Sequence, residues 1–161
     1  MKTLAALWTA GLLAAAGAPP PAPSVSARNA QAIYDGGQLL FAFDLAARSE
    51  AALAVRSVDY SVSIEGTRLF ASSAQGFALA AGVERGVPIA GFGEAARAAA
   101  VLDRIEGTQQ FGWTVTGTLH AVSAEGAVVD VAFSSRGSAA TPEIPHAQSA
   151  PTALNHSLLA H

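Results

Sequence analysis

Few residues in this chain could carry out chemistry, and histidine is the first to consider because its imidazole titrates near neutral pH. The chain has four histidines, of which only His120 lies in a segment with a folded pattern. His146, His156 and His161 lie near the C-terminus at spacings of ten and five residues, which define no metal site. Because there is no cysteine, a zinc or copper site would need His120 and carboxylates that the fold brings together. We therefore interpret His120 as an exposed strand residue.

Nucleophilic catalysis has little support in the sequence. Serines are numerous, but none lies in the G-x-S-x-G pattern that exposes a nucleophile on a sharp turn. The nearest segment, SSRGS at residues 134–138, follows a predicted strand. The acidic residues Asp44, Asp59, Glu65 and Asp130 occupy the polar phase of predicted strands, where a carboxylate is normally solvated. These patterns predict no catalytic residue.

The glycines before the predicted helix are the only hint of a cofactor site. Gly91-Phe92-Gly93 resembles a phosphate-binding turn, but the third glycine of the dinucleotide fingerprint is missing. The only lysine, Lys2, lies in the N-terminal leader. We interpret the segment as a connection into the helix, and we predict neither a cofactor nor a metal.

The N-terminus has the composition of a secretory signal peptide. Lys2 precedes an apolar run from Leu4 to about Ala18, and prolines and small residues follow. Three successive prolines end this run short of the roughly 20 apolar residues that a membrane span needs. We therefore expect export without a stable membrane anchor.

Removal of the leader defines the expected mature chain. We predict cleavage after Ala27, with Ala18 and Ala32 as alternatives. The absence of cysteine rules out disulfides and bacterial lipid attachment, so we expect a soluble periplasmic or secreted protein. Without residues 1–27 the chain keeps eight arginines and twelve carboxylates, a formal charge of −4 (8 − 12). That charge disfavours nucleic acid and anionic membranes as partners.

Four segments alternate apolar and polar residues with the period of two that is typical of a half-buried strand. Glu65-Gly66-Thr67 is typical of a hairpin connection, with a returning strand from Arg68. The apolar phases of the four segments are Leu39, Phe41, Phe43 and Leu45; Val58, Tyr60, Val62 and Ile64; Phe111, Trp113, Val115, Leu119 and Ala121; and Val129, Val131 and Phe133.

Residues 94–106 (EAARAAAVLDRIE) give the one helix signal after the leader, since alanine has high helix propensity and Gly107 follows as a stop. Strands that are not separated by helical crossovers favour an antiparallel arrangement. We predict a mainly β fold, an antiparallel β-sandwich of about seven strands with one short α-helix. Its helix could place five apolar residues on one face: Ala95, Ala98, Ala99, Leu102 and Ile105.

A length of 161 residues fits one domain. We predict a signal peptide over 1–27, a polar lead-in over 28–37, the sandwich over 38–145, and a C-terminal tail without fixed structure over 146–161.

The segment over residues 77–92 has a weaker alternation, and Pro88 within it lacks the N–H that a central ladder needs. We therefore place this segment at a sheet edge, where it could pair with a strand of a protein partner. Phe70, Phe77 and Phe92 form a weaker candidate contact patch. The candidate partner-contact residues of the edge are Val83, Glu84, Arg85, Val87 and Ile89.

The order of these features resembles the LEA14 type of group-2 late embryogenesis abundant proteins, also called the WHy (water stress and hypersensitive response) domain. The most telling segments are VDY at 58–60, IEG at 64–66, TGTL at 116–119, and a last strand that ends near Phe133 with Gly137 after it. The resemblance implies a seven-stranded sandwich with one helix, no cofactor, no catalytic residues and a role in tolerance of desiccation or related stress.

We therefore expect a non-catalytic exported protein that protects client or envelope proteins under water stress. A second hypothesis is an envelope adaptor that binds a partner strand at the edge defined above. A third is a hydrolase that uses His120 with a nearby serine or carboxylate. The oligomeric state is left open by the sequence.

Overall fold

The structure is a computed structural model that describes residues 21–144. Seven strands and one helix follow one another along this part of the chain. They are β1 (Ser24–Asp35), β2 (Gln38–Arg48), β3 (Leu53–Ile64), β4 (Thr67–Leu79), β5 (Arg85–Phe92), α1 (Ala95–Ile105), β6 (Gln110–Ser123) and β7 (Val128–Ala140).

The strands form two antiparallel sheets that enclose one core. The first sheet has three strands in the order β1-β2-β5, and the second has four in the order β4-β3-β6-β7. Their inward faces carry the buried side chains, as in other sandwiches. The predicted fold class, a mainly β antiparallel sandwich with one helix, is confirmed.

Alternation along the strands produces the core. The predicted apolar phases of β2, β3 and β6 are all buried, which confirms their assignment. Phe41 is at the centre of an aromatic cluster, with its ring centroid 6.5 Å from Phe111 and 6.3 Å from Trp113. Phe43 contacts Tyr60 edge to face, at 5.7 Å. Residues from both sheets therefore meet in one aromatic layer.

The turn between β3 and β4 is formed by Glu65 and Gly66, as predicted. Both have positive φ, 47° and 76°, which suits a two-residue hairpin whose twist matches that of the strands. The Gly112 N–H donates to the Glu65 carboxylate, and Arg104 of α1 donates to the Glu65 carbonyl oxygen at 3.1 Å. This turn thus joins the helix to the four-stranded sheet.

Helix α1 occupies the predicted segment and buries part of the predicted face. Ala98, Val101 and Ile105 are buried, whereas Ala95 and Ala99 are exposed. Spacings of three and four residues define the buried stripe. The prediction was right for Ala98, Ile105 and the half-buried Leu102 and wrong for the two exposed alanines. The alanine-rich sequence allows several stripes, and contact with β4 and β2 selects one of them.

The glycines before the helix are explained by packing. A Cβ added to Gly91 would lie 2.5 Å from the Phe70 ring, and one added to Gly93 would collide with the Leu69 side chain. These glycines allow the chain to approach β4 closely as it enters α1.

The N-terminal strand differs from the sequence-based expectation. Residues 28–37, predicted to be a polar lead-in, form most of β1 and its turn into β2, so the sandwich begins at Ser24. A bulge between Arg28 and Gln31 interrupts the period of two, and Asn29 within it has φ of 54°. Small side chains such as Ala30 face the core. Because the bulge breaks the alternation and the inward side chains are small, the hydrophobic pattern alone does not identify this strand.

Most of the predicted signal peptide and the predicted C-terminal tail lie outside residues 21–144. The part of the signal peptide that the structure describes includes Ser24–Ala27, which belong to β1. Between residues 21 and 144, no helix has the length and apolar character needed to span a membrane.

Candidate functional site

A row of polar side chains crosses the outer face of the four-stranded sheet. His120 on β6 lies between two carboxylates, with its Nδ1 2.8 Å from Asp130 Oδ1 and its Nε2 3.3 Å from Asp59 Oδ2. The Ser73 hydroxyl on β4 donates to the other oxygen of Asp59. One hydrogen-bonded row thus links all four strands, and we call Ser73, Asp59, His120 and Asp130 the His120 row.

Strand register brings these side chains together. His120 lies directly opposite Asp130 on β7, and Asp59 lies directly opposite Ser73 on β4. Asp59 pairs with Thr118, so it reaches His120 along the diagonal, and diagonal neighbours are within reach of a long side chain. Asp59, His120 and Asp130 were predicted to face solvent, but their contact depends on register, which a single sequence does not fix.

The two carboxylates favour the charged imidazole. Hydrogen bonding to Asp130 is the largest cause that raises the pKa of His120 above its ordinary value of 6.5, and Asp59 adds to it. The hydrogen bond from Ser73 is the largest cause that lowers the pKa of Asp59 below 3.8. All these groups are open to solvent, so water screens their mutual attraction.

The row lacks the geometry of a hydrolytic site. A histidine base must reach the hydroxyl that it deprotonates, yet Ser73 contacts Asp59 and both ring nitrogens of His120 face carboxylates. The ring also separates the two carboxylates, so the three groups do not converge on one point. Within the described residues no group of three or more histidine, cysteine or acidic side chains could hold a metal ion.

The predicted partner edge is an edge in the structure, since β5 pairs only with β2. Val83 is exposed and Glu84 forms an ion pair with Arg28 of β1. Val87 is half-buried, and Ile89 is buried in the core. The five predicted residues are therefore neighbours in sequence, but they do not form one exposed contact surface.

Arg85 points towards the other sheet. Its Nη1 donates to the Ala78 carbonyl oxygen of β4 at 3.2 Å, and its guanidinium lies 5.5 Å from the centroid of the Phe77 ring. Arg85 thus spans the open side of the sandwich between β5 and β4.

The three phenylalanines predicted as a weaker contact patch do not form one. Phe70 is buried against Tyr60, Phe77 is half-buried beside Arg85, and Phe92 alone is largely exposed. Phe70 was misjudged because β3 and β4 shift register near it, which turns its ring into the core.

An apolar cavity of about 380 Å³ lies where the N-terminal residues meet the ends of other strands. Pro21 and Pro23 line it together with Leu53 of β3 and Val129 of β7. Its one charged lining residue is Glu125. The residues before β1 therefore form one wall of this cavity, with Pro21 exposed and Pro23 half-buried.

Several solved structures share this fold. The Arabidopsis thaliana protein AT1g01470 matches with a TM-score of 0.67 over 86% of this chain and 94% of that chain, at 9% sequence identity. A candidate late embryogenesis abundant (LEA) protein, At2g46140.1, matches with a TM-score of 0.59 over 77% and 74%, at 8% identity. The structural genomics target SoR45 matches with a TM-score of 0.52 over 89% and 100%, at 14% identity.

Comparison of sequences adds no further relative. No protein-family profile matches the chain, and no curated protein matches its sequence. At such low identities the structural likeness concerns the fold. The chain therefore has the LEA14-like fold that its sequence features predict.

Proposed function

We propose that the chain is an exported, non-catalytic LEA14-like protein that protects other proteins or envelope surfaces during desiccation or related stress. The fold that it shares with a candidate LEA protein supports this class of function. The signal-peptide-like N-terminus supports a periplasmic or secreted location.

The observation that carries the proposal is a hydroxyl-rich surface on the outer face of the four-stranded sheet. Thr116 lies opposite Ser61 of β3 and Ser134 of β7, and Thr114 and Thr118 flank it along β6. Each hydroxyl can both donate and accept hydrogen bonds. This surface would replace part of the hydration shell of a neighbouring protein as water is removed.

A drying assay tests this proposal. The full chain is dried with a dehydration-sensitive enzyme, and the activity recovered on rehydration is compared with that in an equal mass of an inert globular protein. We expect recovery clearly above that reference. Recovery equal to the reference would contradict the protective function.

Substitutions locate the protective surface. Thr116→Val combined with Thr118→Val removes two hydroxyls but keeps side-chain shape and strand propensity. We expect this variant to protect less well than the wild type. The matched control is Ser26→Ala, which removes an exposed hydroxyl from β1 in the other sheet. Equal loss in both variants would show that the threonine surface has no special part.

A second candidate function is an envelope adaptor that binds a partner strand along β5. The free side of β5 favours it, since this strand pairs only with β2. A simple charge reversal at Glu84 also breaks the ion pair with Arg28. We therefore propose to compare Glu84→Arg with the swapped pair Arg28→Glu and Glu84→Arg, which keeps the ion pair.

Capture of partners by the exported protein distinguishes the outcomes. If an adaptor complex reads the charge at this edge, it weakens in both variants. If the swapped pair restores binding of the partner, Glu84 acts only by maintaining the fold. If the wild type captures no stoichiometric partner, the adaptor hypothesis is rejected.

A further inference from the structure

Four strands lie at sheet edges, and β4 is the least protected of them. At one side of the sandwich β1 lies against β7, where the Ala27 N–H donates to Ser135 Oγ at 2.8 Å. Strand β5 contains Pro88 and begins at Arg85. By contrast, residues 69–83 contain no charged residue and no proline. Charge, proline and coverage are the usual means by which proteins block edge-to-edge pairing, and the middle of β4 lacks all three.

The open part of β4 is short and well defined. A register shift lies before Phe70, and the Ala78 carbonyl oxygen is covered by Arg85. Between these limits, Ala71, Ser72 and Ser73 are exposed. The segment 71–75 is therefore an uncharged edge with four exposed residues and the half-buried Ala74, and Ser73 lies at its centre.

We propose that this segment pairs with the same segment of a second copy, antiparallel and about a two-fold axis at Ser73. Such a register places Ala71 opposite Gln75 of the second copy and Ser72 opposite Ala74 of the second copy. Inward side chains then meet inward side chains, and outward ones meet outward ones. The result is one continuous sheet of eight strands, four from each copy.

The chemistry of the edge favours a second copy over an unrelated strand. Selection of an unrelated strand relies on charge or on pockets for its side chains, and the segment 71–75 carries only small or amide side chains. Self-pairing brings no like charges opposite each other, and small side chains allow close approach of the two strands. A two-fold axis also makes the two contacts identical, as in most homodimers. This inference stands apart from the proposed function.

Disulfide trapping tests the register directly, because the chain contains no cysteine. In Ser73→Cys the two introduced thiols would lie opposite each other. Opposed Cα atoms of antiparallel strands are about 4.5–5.5 Å apart, within the range that a disulfide spans. We expect a disulfide-linked dimer of the full chain on mild oxidation. The control Thr116→Cys places the thiol on the same outer face but on the central strand β6, away from the paired edge, and should form no disulfide-linked dimer. Equal cross-linking of both variants would overturn the proposal.

Sedimentation of the full chain provides a second, independent measurement. We expect a dimer for the wild type and for Thr116→Lys, and a monomer for Ala71→Lys, since lysine on an edge strand blocks pairing. Circular dichroism establishes that both exposed substitutions leave the fold intact. A wild type that is monomeric from low micromolar to millimolar concentration, or a dimer that survives Ala71→Lys, would contradict pairing through β4.

Discussion

His120 shows how neighbours on adjacent strands change the behaviour of an exposed residue. Its imidazole contacts Asp59 on one side and Asp130 on the other. Sequence analysis predicted the outward orientation of all three residues from the alternation of their strands. It could not predict their contact, because Asp59 and His120 are brought together only by the pairing of β3 with β6.

The His120 row should make stability depend on pH. The pKa of His120 is raised above 6.5 in the folded chain, so its stabilising contribution is complete below about pH 6.5 and is lost as pH rises through the folded pKa. We expect the urea midpoint of the wild type to exceed that of His120→Gln near pH 5.5, and the gap to shrink near pH 8.5. The effect should be small, since the groups are exposed.

Both proteins keep the other three histidines, so the comparison isolates the contribution of His120. A gap between the two midpoints that does not change with pH would show that the charge of His120 makes no contribution to stability.

At the scale of single elements, strand pairing requires glycine at a central position of β6. A Cβ at Gly117 would lie 2.8 Å from the Phe133 ring and closer still to the Asp59 carbonyl oxygen. We expect Gly117→Ala to lower the free energy of unfolding by at least the ~1–3 kcal/mol that is typical of overpacking, because backbone must move. Gly86→Ala is the matched control, since nothing lies within 4 Å of its added Cβ. Urea denaturation of both variants would decide, and a Gly117→Ala variant as stable as the control would contradict the close approach.

Strand β1 limits where a signal peptide could be cleaved without loss of strand pairing. Cleavage after Ala27 would remove Ser24–Ala27, which pair with Leu45–Arg48 of β2. Cleavage after Ala32 would remove most of the strand. We therefore predict that export leaves a chain whose first residue is Ser24 or an earlier one.

N-terminal sequencing of the exported protein measures this directly. Chains beginning at residue 21 and residue 28 provide the control, and we expect the shorter one to unfold at lower urea concentration. If the mature protein begins at residue 28 and is as stable as the longer chain, the pairing of residues 24–27 with β2 is not needed for stability.

At the scale of the whole molecule, one hydrophobic core stabilises the domain, and most of its residues could be predicted from the sequence. Phe41 is fully buried and contacts aromatic rings from both sheets, so Phe41→Ala should cost about 3–5 kcal/mol of stability. Phe92 is 59% exposed, and Phe92→Ala should change stability by less than about 0.5 kcal/mol. Thermal or urea unfolding of the pair checks both values. Similar losses would contradict the exposed position of Phe92.

Periodicity was sufficient to predict most of the fold. The regular stretches of β2, β3 and β6 were found with their buried faces, and the helix was found with part of its buried face. Strand β1 was missed because its bulge at Asn29 breaks the period. The buried stripe of α1, the contacts of Arg85 and the His120 row all depend on which strands become neighbours, which local patterns do not encode.

The central ladder has a kinetic consequence. Ile64 pairs with Trp113, and all of β4, β5 and α1 lie between them in the chain. Three hairpins, β1–β2, β3–β4 and β6–β7, can form locally, but the four-stranded sheet requires closure of this long intervening loop. Proteins dominated by such distant pairings fold slowly. After each cycle of unfolding, the rate at which β6 finds β3 would therefore set how long the core residues of the sandwich stay exposed to other chains.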